Sequence, residues 1–414
     1  MRLILMAILA GALSAAPDTG KETPLVVRLG VDLVQIDAVV TDKKGRAVTD
    51  LVAADFEILQ DGRPQTVTQA AFMGLLADEA APGPPASGAA AEDEADDPTA
   101  GAEPSEAIVF VVDDVALSVS SVSATRRALL SFADGMGEAA QVFLLRTAAR
   151  VVEMRPVEGP AELRAAARAL RPTVQPRGTD LLQDSTAAGH SPFDLRAQST
   201  GLYLNSLLAR RSLISLRDIT DALRSWKGRK TLVFFSEGFP IWDHSTTRET
   251  LAPFEEVYGL GDDVLDAVDR LTDLANRASV VIHTVDPRGL LTVGISASDA
   301  TMMSHDAILN TLQTRRTALH TTQGSLSRIA ELTGGLSVLN ANDLGAGVAR
   351  ILADSRGYYL VGYEPPRATF AGERPRFHKL EVKVKRPGLK VRSRKGFFGL
   401  SDAAVAALAP PQTF

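Results

Sequence analysis

The sequence predicts an α/β protein with a doubly wound, mostly parallel sheet, flanked by N- and C-terminal β segments that pair into one β-sandwich-like domain. Three observations predict this fold. Apolar runs alternate with helical patterns through residues 107–355, and repeated strand–helix–strand order favours a parallel sheet covered on both faces. Residues 24–75 and 356–400 instead alternate with period two, as half-buried strands do. Each of these flanks is short for a core of its own, so we expect them to share one.

The composition is that of an ordinary globular protein and excludes several functions. The 414 residues are 45% hydrophobic and 23% charged, which is enough for a large core. A net charge of −6 argues against a nucleic-acid partner. The absence of cysteine excludes disulfides, thiolate metal sites and a cysteine nucleophile. The six histidines lie far apart, without the short spacing of a zinc hydrolase.

The N-terminus resembles an export signal. Residues 1–16 hold a basic Arg2, an apolar stretch and then small residues. The apolar stretch is shorter than the roughly 20 residues that cross a bilayer, so we expect a cleaved signal peptide. An uncleaved anchor is the alternative. No later segment reaches transmembrane length, so the mature chain is predicted to be periplasmic or extracellular, without a transmembrane segment.

The first β segment, residues 24–75, is followed by a linker. Strands are predicted at 55–59 and 66–72, with Asp61-Gly62 forming a tight turn between them. Residues 76–106 hold an Ala/Pro-rich stretch and a block of acidic side chains, without aromatic residues or periodicity. Such a segment buries too little apolar surface to fold alone, so we predict a disordered tether.

The middle zone, residues 107–355, alternates strands and helices. Buried strands are predicted at 108–112, 141–145, 231–235, 280–285 and 336–339, with an edge strand at 151–157. Helices are predicted at 123–135, 160–170, 214–226, 264–278, 325–333 and 344–355. Residues 189–201 are predicted to be a surface insertion.

The last β segment, residues 356–400, precedes a loose tail at 401–414. Strands are predicted at 358–363, 378–385 and 389–394. Tyr358, Tyr359 and Tyr363 on the first of them are expected to pack in a core or at a sheet edge; a sugar-binding platform is the alternative. The hairpin is basic: it carries Lys379, Lys383, Lys385, Arg386, Lys390, Arg392, Arg394 and Lys395. We expect a solvated face there; the alternative is contact with an anionic envelope surface or with the acidic linker.

Several short strings resemble a known family. In the middle zone they are FVVDD at 110–114, FSEGFP at 235–240, VDPRG at 285–289 and LTGG at 332–335, and in the flanks VTDL at 48–51 and YYLVGY at 358–363. With these strings the middle zone resembles a von Willebrand factor A-type domain, a Rossmann-like fold. The whole mature chain resembles the secreted VWFA-related group of acidobacterial type. This resemblance implies a fold more than a reaction.

The resemblance also implies a cation site at the carboxyl ends of the strands. Family members hold Mg²⁺ there with Asp-x-Ser-x-Ser after the first strand, a Thr in a later loop and an Asp after a further strand. Here Asp113 or Asp114 opens that pattern and Ser118 supplies a hydroxyl. Thr179 matches the family's Thr, and Glu237 stands in place of its Asp. The implied site is Asp113, Asp114, Ser118, Thr179, Asp180 and Glu237, of which Asp113, Ser118, Thr179 and Glu237 would contact metal.

The implied metal site is incomplete, which leaves two alternatives. Val115 and Leu117 occupy positions where the family has serine, and neither has a side-chain oxygen. In one alternative, Mg²⁺ or another divalent cation is held loosely or through water. In the other, the metal is lost and the carboxylates cap helix N-termini or pair with Arg177. Replacing ligands by water weakens a Mg²⁺ site, so we favour the second and expect no certain cofactor.

The predicted function is non-enzymatic. The chain contains no GxSxG elbow, P-loop or GxGxxG motif. Asp286 and Arg288 are expected to form a turn with a local ion pair. We predict an exported adhesion-type module that recognises a protein or an envelope polymer at the strand-end face. A structural scaffold of the cell envelope with an inert metal site is the alternative, and an unrecognised hydrolase is a distant one.

Overall fold

The computed structural model describes eleven parts of the chain: 33–74, 107–136, 141–149, 154–173, 192–226, 228–241, 255–291, 294, 305–355, 357–370 and 376–399. The predicted signal, linker and tail lie outside these residues. So do Arg177, Thr179 and Asp180.

The described elements follow the predicted order. The strands are β1 Val34–Thr41, β2 Phe56–Gln60, β3 Arg63–Gln65, β4 Val67–Gly74, β5 Ala107–Val112, β6 Gln141–Arg146, β7 Lys230–Phe235, β8 Val280–Val285, β9 Ser337–Val338, β10 Gly357–Tyr363, β11 Arg376–Val384, β12 Lys390–Ser393 and β13 Gly396–Gly399. The α-helices are α1 Val119–Asp134, α2 Pro160–Ala169, α3 Pro192–Ala222, α4 Glu255–Arg277, α5 His305–Thr333 and α6 Leu344–Ser355.

The middle zone is built on a parallel sheet, as predicted. Its strands lie in the order β6-β5-β7-β8-β9, and every pairing is parallel. Alternate residues of β5 point to opposite faces. Val109 and Val111 pack against α3, α4 and α5, whereas Ile108, Phe110 and Val112 pack against α1, α2 and α6. Among the described residues, three helices therefore cover each face of the sheet, which is the doubly wound arrangement.

The two β segments pair with each other, also as predicted. One antiparallel sheet has the order β12-β1-β10-β4 and the other β13-β11-β2-β3, so each combines strands from both ends of the chain. They enclose a shared core that includes Ile36, Ile58 and Leu380. Tyr359 and Tyr363 are fully buried in it, which confirms core packing for two of the three tyrosines, whereas Tyr358 is half-buried. The hydroxyl of Tyr359 accepts a hydrogen bond from the Leu51 amide at 2.9 Å.

Two sequence-based predictions in the middle zone were wrong. The described part of the expected edge strand, residues 154–157, contains no strand. Pro156 has no N–H to extend a ladder, and the Val157 amide makes a single bond to the Val142 carbonyl at 2.7 Å. Residues 192–201, expected within a loop, are the start of α3. Proline is well suited to the first position of a helix, as at Pro192.

Helix α5 is much longer than the predicted 325–333. The part of α5 that precedes residue 325 buries polar side chains, including Thr311, Arg315 and Thr322. A helix with polar residues on its inner face lacks the apolar periodicity by which sequence reasoning recognises helices. Within the described residues, no helix combines the length and the apolar character needed to cross a bilayer.

Basic side chains join the sandwich to the parallel-sheet domain. The buried Arg229 guanidinium lies 4.3 Å from the ring centre of Tyr358 and 3.8 Å from the Asp37 carboxylate. Arg392 donates to the Gly334 carbonyl and pairs with Asp354. Part of the basic hairpin thus faces the neighbouring domain, whereas Lys379, Lys383, Lys385, Arg386, Lys390 and Lys395 are exposed.

Candidate functional site

The candidate site lies where the order of the parallel strands reverses. β5 has β6 on one side and β7 on the other, and ligands of open α/β sheets bind in the crevice at such a switch point. The loop after β5 carries Asp113, and the loop after β7 carries Ser236 and Glu237. The Asp113 amide donates to the Phe235 carbonyl at 2.9 Å, so the two loops leave the sheet side by side.

The carboxylate of Asp113 is fully buried and is held by three hydroxyl groups. Its Oδ1 accepts from Thr147 at 3.0 Å and from Ser212 at 2.6 Å. Its Oδ2 accepts from Ser236 at 2.7 Å. The donors come from the loop after β6, from α3 and from the loop after β7. Hydrogen bonds to a charged acceptor stabilise it more than neutral ones do, and three of them offset part of the desolvation of Asp113.

The neighbouring Asp114 is held by an arginine. Its Oδ2 lies 2.6 Å from Arg146 Nε and 2.9 Å from the Thr173 hydroxyl. Its Oδ1 accepts from the Ala148 amide at 2.9 Å. The side chain of Asp114 is fully buried, and that of Arg146 is 40% exposed. This carboxylate therefore joins three loops at the edge of the sheet.

Glu237 meets the N-terminus of α1. Its Oε1 accepts from the Ser118 amide at 2.9 Å, while the Ser118 hydroxyl caps α1 by accepting from the Ser121 amide at 3.2 Å. A carboxylate near a helix N-terminus is favoured by the helix dipole. Oε2 of Glu237 is buried and has no hydrogen-bond partner among the described residues. The adjacent Gly238 has a φ of +74°, and a Cβ there would lie 2.1 Å from the Thr322 carbonyl oxygen, so no larger residue fits.

A further buried carboxylate, that of Asp286, lies along the same edge, after β8. Arg288 contacts both oxygens of Asp286, with Nε 2.8 Å from Oδ1 and a terminal nitrogen 2.8 Å from Oδ2. The Gln323 amide donates to Oδ2 at 3.0 Å. This geometry confirms the predicted turn with a local ion pair.

The four described residues of the predicted site lie close together but are covered. Asp113, Asp114, Ser118 and Glu237 are each 4% exposed or less. Two apolar side chains at the same edge are instead open to solvent: Val119, the first residue of α1, is 67% exposed, and Leu290, in the loop after β8, is 63% exposed.

The described residues do not fit the Mg²⁺ site that the resemblance implies. Asp113 accepts from three hydroxyls, and Asp114 is occupied by a guanidinium that would repel a cation. Val115 and Leu117 are fully buried and have no side-chain oxygen. Mg²⁺ requires near-octahedral oxygen ligands, and the described part of the chain holds no group of three or more His, Asp or Glu side chains that could bind a metal.

Sequence reasoning missed most of the groups that hold the carboxylates. Thr147 and Ser212 belong to no motif, and Ser212 lies 99 residues from Asp113 along the chain. Ser236 was visible in the FSEGFP string, but its hydrogen bond to Asp113 was not. One signal was available: Thr147 directly follows the second buried strand, so it lies at the same sheet edge as Asp113.

The fold and the site together define an α/β protein with a buried acidic network at its strand ends. Comparison of the chain with protein-family models and with curated proteins finds no match.

Proposed function

We propose that the chain is a non-enzymatic binding module that resembles von Willebrand A-type domains and recognises a protein or envelope polymer at its strand-end face without a metal ion. The observation that carries the proposal is the exposure of Val119 at the switch point and of Leu290 after β8, at the same edge of the sheet. Contiguous exposed apolar patches rimmed by polar groups mark interaction surfaces, and in this proposal the two side chains belong to such a patch.

The buried carboxylates have a supporting role in this proposal. Asp113 and Glu237 connect the loops after β5 and β7, and Glu237 also contacts the start of α1. Because Val119 is the first residue of α1, this network determines where its side chain stands. Pre-organised contact residues bind with a smaller loss of conformational entropy. Affinity would therefore come from the exposed side chains of Val119 and Leu290, and the buried network would hold the start of α1 in position.

Binding to a cell-envelope extract tests the proposal, with paired variants. We expect Val119→Asp and Leu290→Asp together to lower retention of the captured partner at least tenfold, because a charge replaces each apolar contact. The matched control is Met73→Asp, since Met73 is 40% exposed in the sandwich. A photo-crosslinker placed at position 119 or 290, and at 73 for comparison, then shows whether the partner touches this edge. EDTA should change neither result.

Two outcomes would overturn the proposal. Retention that survives the paired variant, or that is lost equally in the control, would mean that the partner binds elsewhere. Retention abolished by EDTA and restored by Mg²⁺ would mean that a cation site, including residues outside those described, mediates binding.

The scaffold alternative rests on one observation, namely that Asp113 and Asp114 are satisfied by protein donors and so need no ligand. The alternative predicts that the strand-end variants leave every interaction unchanged while sandwich variants alter assembly. Crosslinks from position 73 but from neither 119 nor 290 would favour it.

The described residues give little support to the hydrolase alternative. His378 Nδ1 lies 2.7 Å from the Asp61 carboxylate, an arrangement that catalytic dyads also use. Its further polar neighbour is the Gln60 amide at 3.4 Å, and an amide is not a nucleophile. The Gln60 amide also donates to the Thr369 hydroxyl, and its oxygen accepts from Tyr363. These contacts form a buried structural network.

A further inference from the structure

One end of the sandwich gathers basic side chains from two turns that are far apart in sequence. The first turn, after β1, carries Lys43, Lys44 and Arg46, and the second, between β11 and β12, carries Lys385, Arg386 and Lys390. Thr41 pairs with Lys390 across the sheet. A Cβ on Gly388 would lie 3.3 Å from Lys43 Cε, so the two turns are in contact. We call these six residues, with Val52, the basic end.

The charge balance at the basic end opposes that of the whole chain. Residues 42–55 and 385–390 hold six basic and three acidic side chains, whereas the chain carries a net charge of −6. The six basic residues are all exposed. This asymmetry gives the molecule a positive end that an anionic surface would orient.

The acidic groups at this end are already engaged. Asp42 binds Arg46 at 2.8 Å, and Asp50 binds Arg386 at 2.9 Å. Asp55 accepts from the Val52 amide at 2.9 Å. Both arginines are thus paired with carboxylates of the protein itself. The side chains of Lys43, Lys44 and Lys390 make no ion pair with the described residues.

The unpaired charges are therefore lysines, which suit a diffuse anionic surface. An arginine fork recognises a particular carboxylate or phosphate, whereas lysine acts as a mobile point charge. Each lysine near an anionic membrane contributes on the order of 1 kcal/mol, or about a fivefold gain in partitioning.

An exposed apolar side chain accompanies the lysines. Val52 is 60% exposed, in a loop that is fixed on both sides. Its amide donates to Asp55, the Leu51 amide beside it donates to the buried Tyr359 hydroxyl, and Lys385 Nζ donates to the Ala54 carbonyl at 2.8 Å. An apolar side chain held among lysines matches a bilayer surface, where headgroup charge overlies an apolar layer.

We propose that the basic end docks onto the surface of a bilayer that contains anionic phospholipid. Lys43, Lys44 and Lys390 would face the headgroups, and Val52 would enter the interface. An acidic protein is the other occupant of similar charge. The rigid exposed Val52 and the lack of an unpaired arginine at this end favour the lipid surface. The inference is independent of the strand-end proposal, because the two surfaces share no residues.

Co-sedimentation of the full chain with vesicles tests it. Phosphatidylcholine vesicles with and without phosphatidylglycerol separate charge-driven binding from insertion of any apolar segment. The charge variant is Lys43→Gln/Lys44→Gln/Lys390→Gln. Its matched control removes the same charge from the exposed sheet face, as Lys379→Gln/Lys383→Gln/Lys395→Gln. A second pair compares Val52→Ser with Leu309→Ser, since Leu309 is 51% exposed on α5.

We expect the chain to bind the anionic vesicles more tightly than the neutral ones, and less so at high salt. The basic-end triple variant should lower partitioning about a hundredfold, at about fivefold per lysine, and the control triple variant by less than about tenfold. Val52→Ser should weaken binding severalfold, and Leu309→Ser should leave it unchanged.

Equal losses in the two triple variants would overturn the proposal, since net charge alone would then explain binding. Equal partitioning on neutral and anionic vesicles would overturn it too. Binding to polyglutamate that depends on the same three lysines, without vesicle binding, would assign the basic end to an acidic protein instead.

Discussion

A carboxylate is buried just after β5 and another just after β8, but the two are stabilised by different kinds of donor. Asp113 after β5 and Asp286 after β8 are both fully buried at one sheet edge. Asp113 is held by neutral hydroxyls from three separate elements, whereas Asp286 is held mainly by Arg288 two residues away. The hydroxyl arrangement connects distant parts of the chain. The arginine arrangement neutralises charge locally and fixes one turn.

Among the described residues, charge distribution follows the same division for Asp113 and Glu237. Beyond β5, these two carboxylates lie among hydroxyls and amides, and the neighbouring Asp114 pairs with Arg146, whose side chain is 40% exposed. Along β8, cationic groups dominate: Arg288 pairs with Asp286, and the positive charges of Arg229 and Arg392 act on the buried His283. Removing one hydroxyl donor should therefore weaken the stabilisation of Asp113 only in part. Removing Arg288 should take away the main partner of Asp286.

The largest expected effect is from Arg288→Met. The change leaves Asp286 buried without its counter-charge, and breaking a buried pair in this way costs about 3–5 kcal/mol. The free energy of unfolding, measured by urea denaturation, should fall by that amount. The matched control, Arg217→Met, breaks an exposed pair with Asp218 and should cost less than about 1 kcal/mol. Similar losses in both variants would contradict the proposed role of Arg288.

On the β5 side, Ser212→Ala should have a smaller effect. It removes the 2.6 Å donor to Asp113 but leaves Thr147 and Ser236 in place, so we expect a loss of about 1–3 kcal/mol. Ser225→Ala, at an exposed position near the end of the same helical segment, should change unfolding by about 0.5 kcal/mol or less. A loss as large as that of Arg288→Met would mean that the hydroxyls are not interchangeable partners of Asp113.

His283 allows the β8 side to be tested by pH. Burial, with the nearby charges of Arg392 and Arg229, holds the pKa of His283 well below its ordinary value. Below about pH 6.5 the unfolded chain binds a proton that the native His283 refuses. Stability should therefore fall as pH drops, by at most about 1.4 kcal/mol per pH unit from this group.

The variant His283→Asn should remove this contribution. Urea denaturation at pH 7.5, 6.5 and 5.5 compares it with the parent chain and with His305→Asn, which changes an exposed histidine. The difference in unfolding free energy between the parent and His283→Asn should narrow as pH falls, and His305→Asn should follow the parent. A constant difference in unfolding free energy across the three pH values would mean that the pKa of His283 is not lowered in the native protein.

The smallest effect is expected from Glu237→Gln. The amide keeps an oxygen that can accept from the Ser118 amide, and it removes a buried charge whose other oxygen has no hydrogen-bond partner. Weaker attraction to the α1 dipole opposes that gain, so unfolding should change by less than about 1 kcal/mol. Mg²⁺ should not shift the Tm of either protein. A Mg²⁺-dependent rise in the parent that is lost in Glu237→Gln would restore the metal site.

Much of the fold was predictable because buried strands have a strong local signal. β8 was predicted to the residue and β5 to within one, since continuous apolar runs leave little choice of structure. Helix α5 was underestimated because its inner face is partly polar. Pairing of the two β segments was predictable from size, since neither could bury a core alone, but the register of β1 against β10 was not.

The candidate site was predictable in position and not in chemistry. Asp113 and Glu237 follow adjacent buried strands, so their meeting at one edge follows from the order of elements. Their hydrogen bonds could not be predicted from that order, because Ser212, which donates to Asp113, lies on a helix 99 residues away along the chain. The basic end shows the same limit: Lys43 and Lys390 belong to separate short motifs that come together only when β1 pairs with β12.

The amino-acid sequence by itself determined the alternation of strands and helices and the residues that follow each strand, because periodicity and apolar runs are local properties. Only the tertiary structure decided that the acidic residues at the strand ends are covered and that Val119, Leu290 and the basic end face solvent. Exposure depends on every segment that packs nearby, and no single stretch of sequence contains that information.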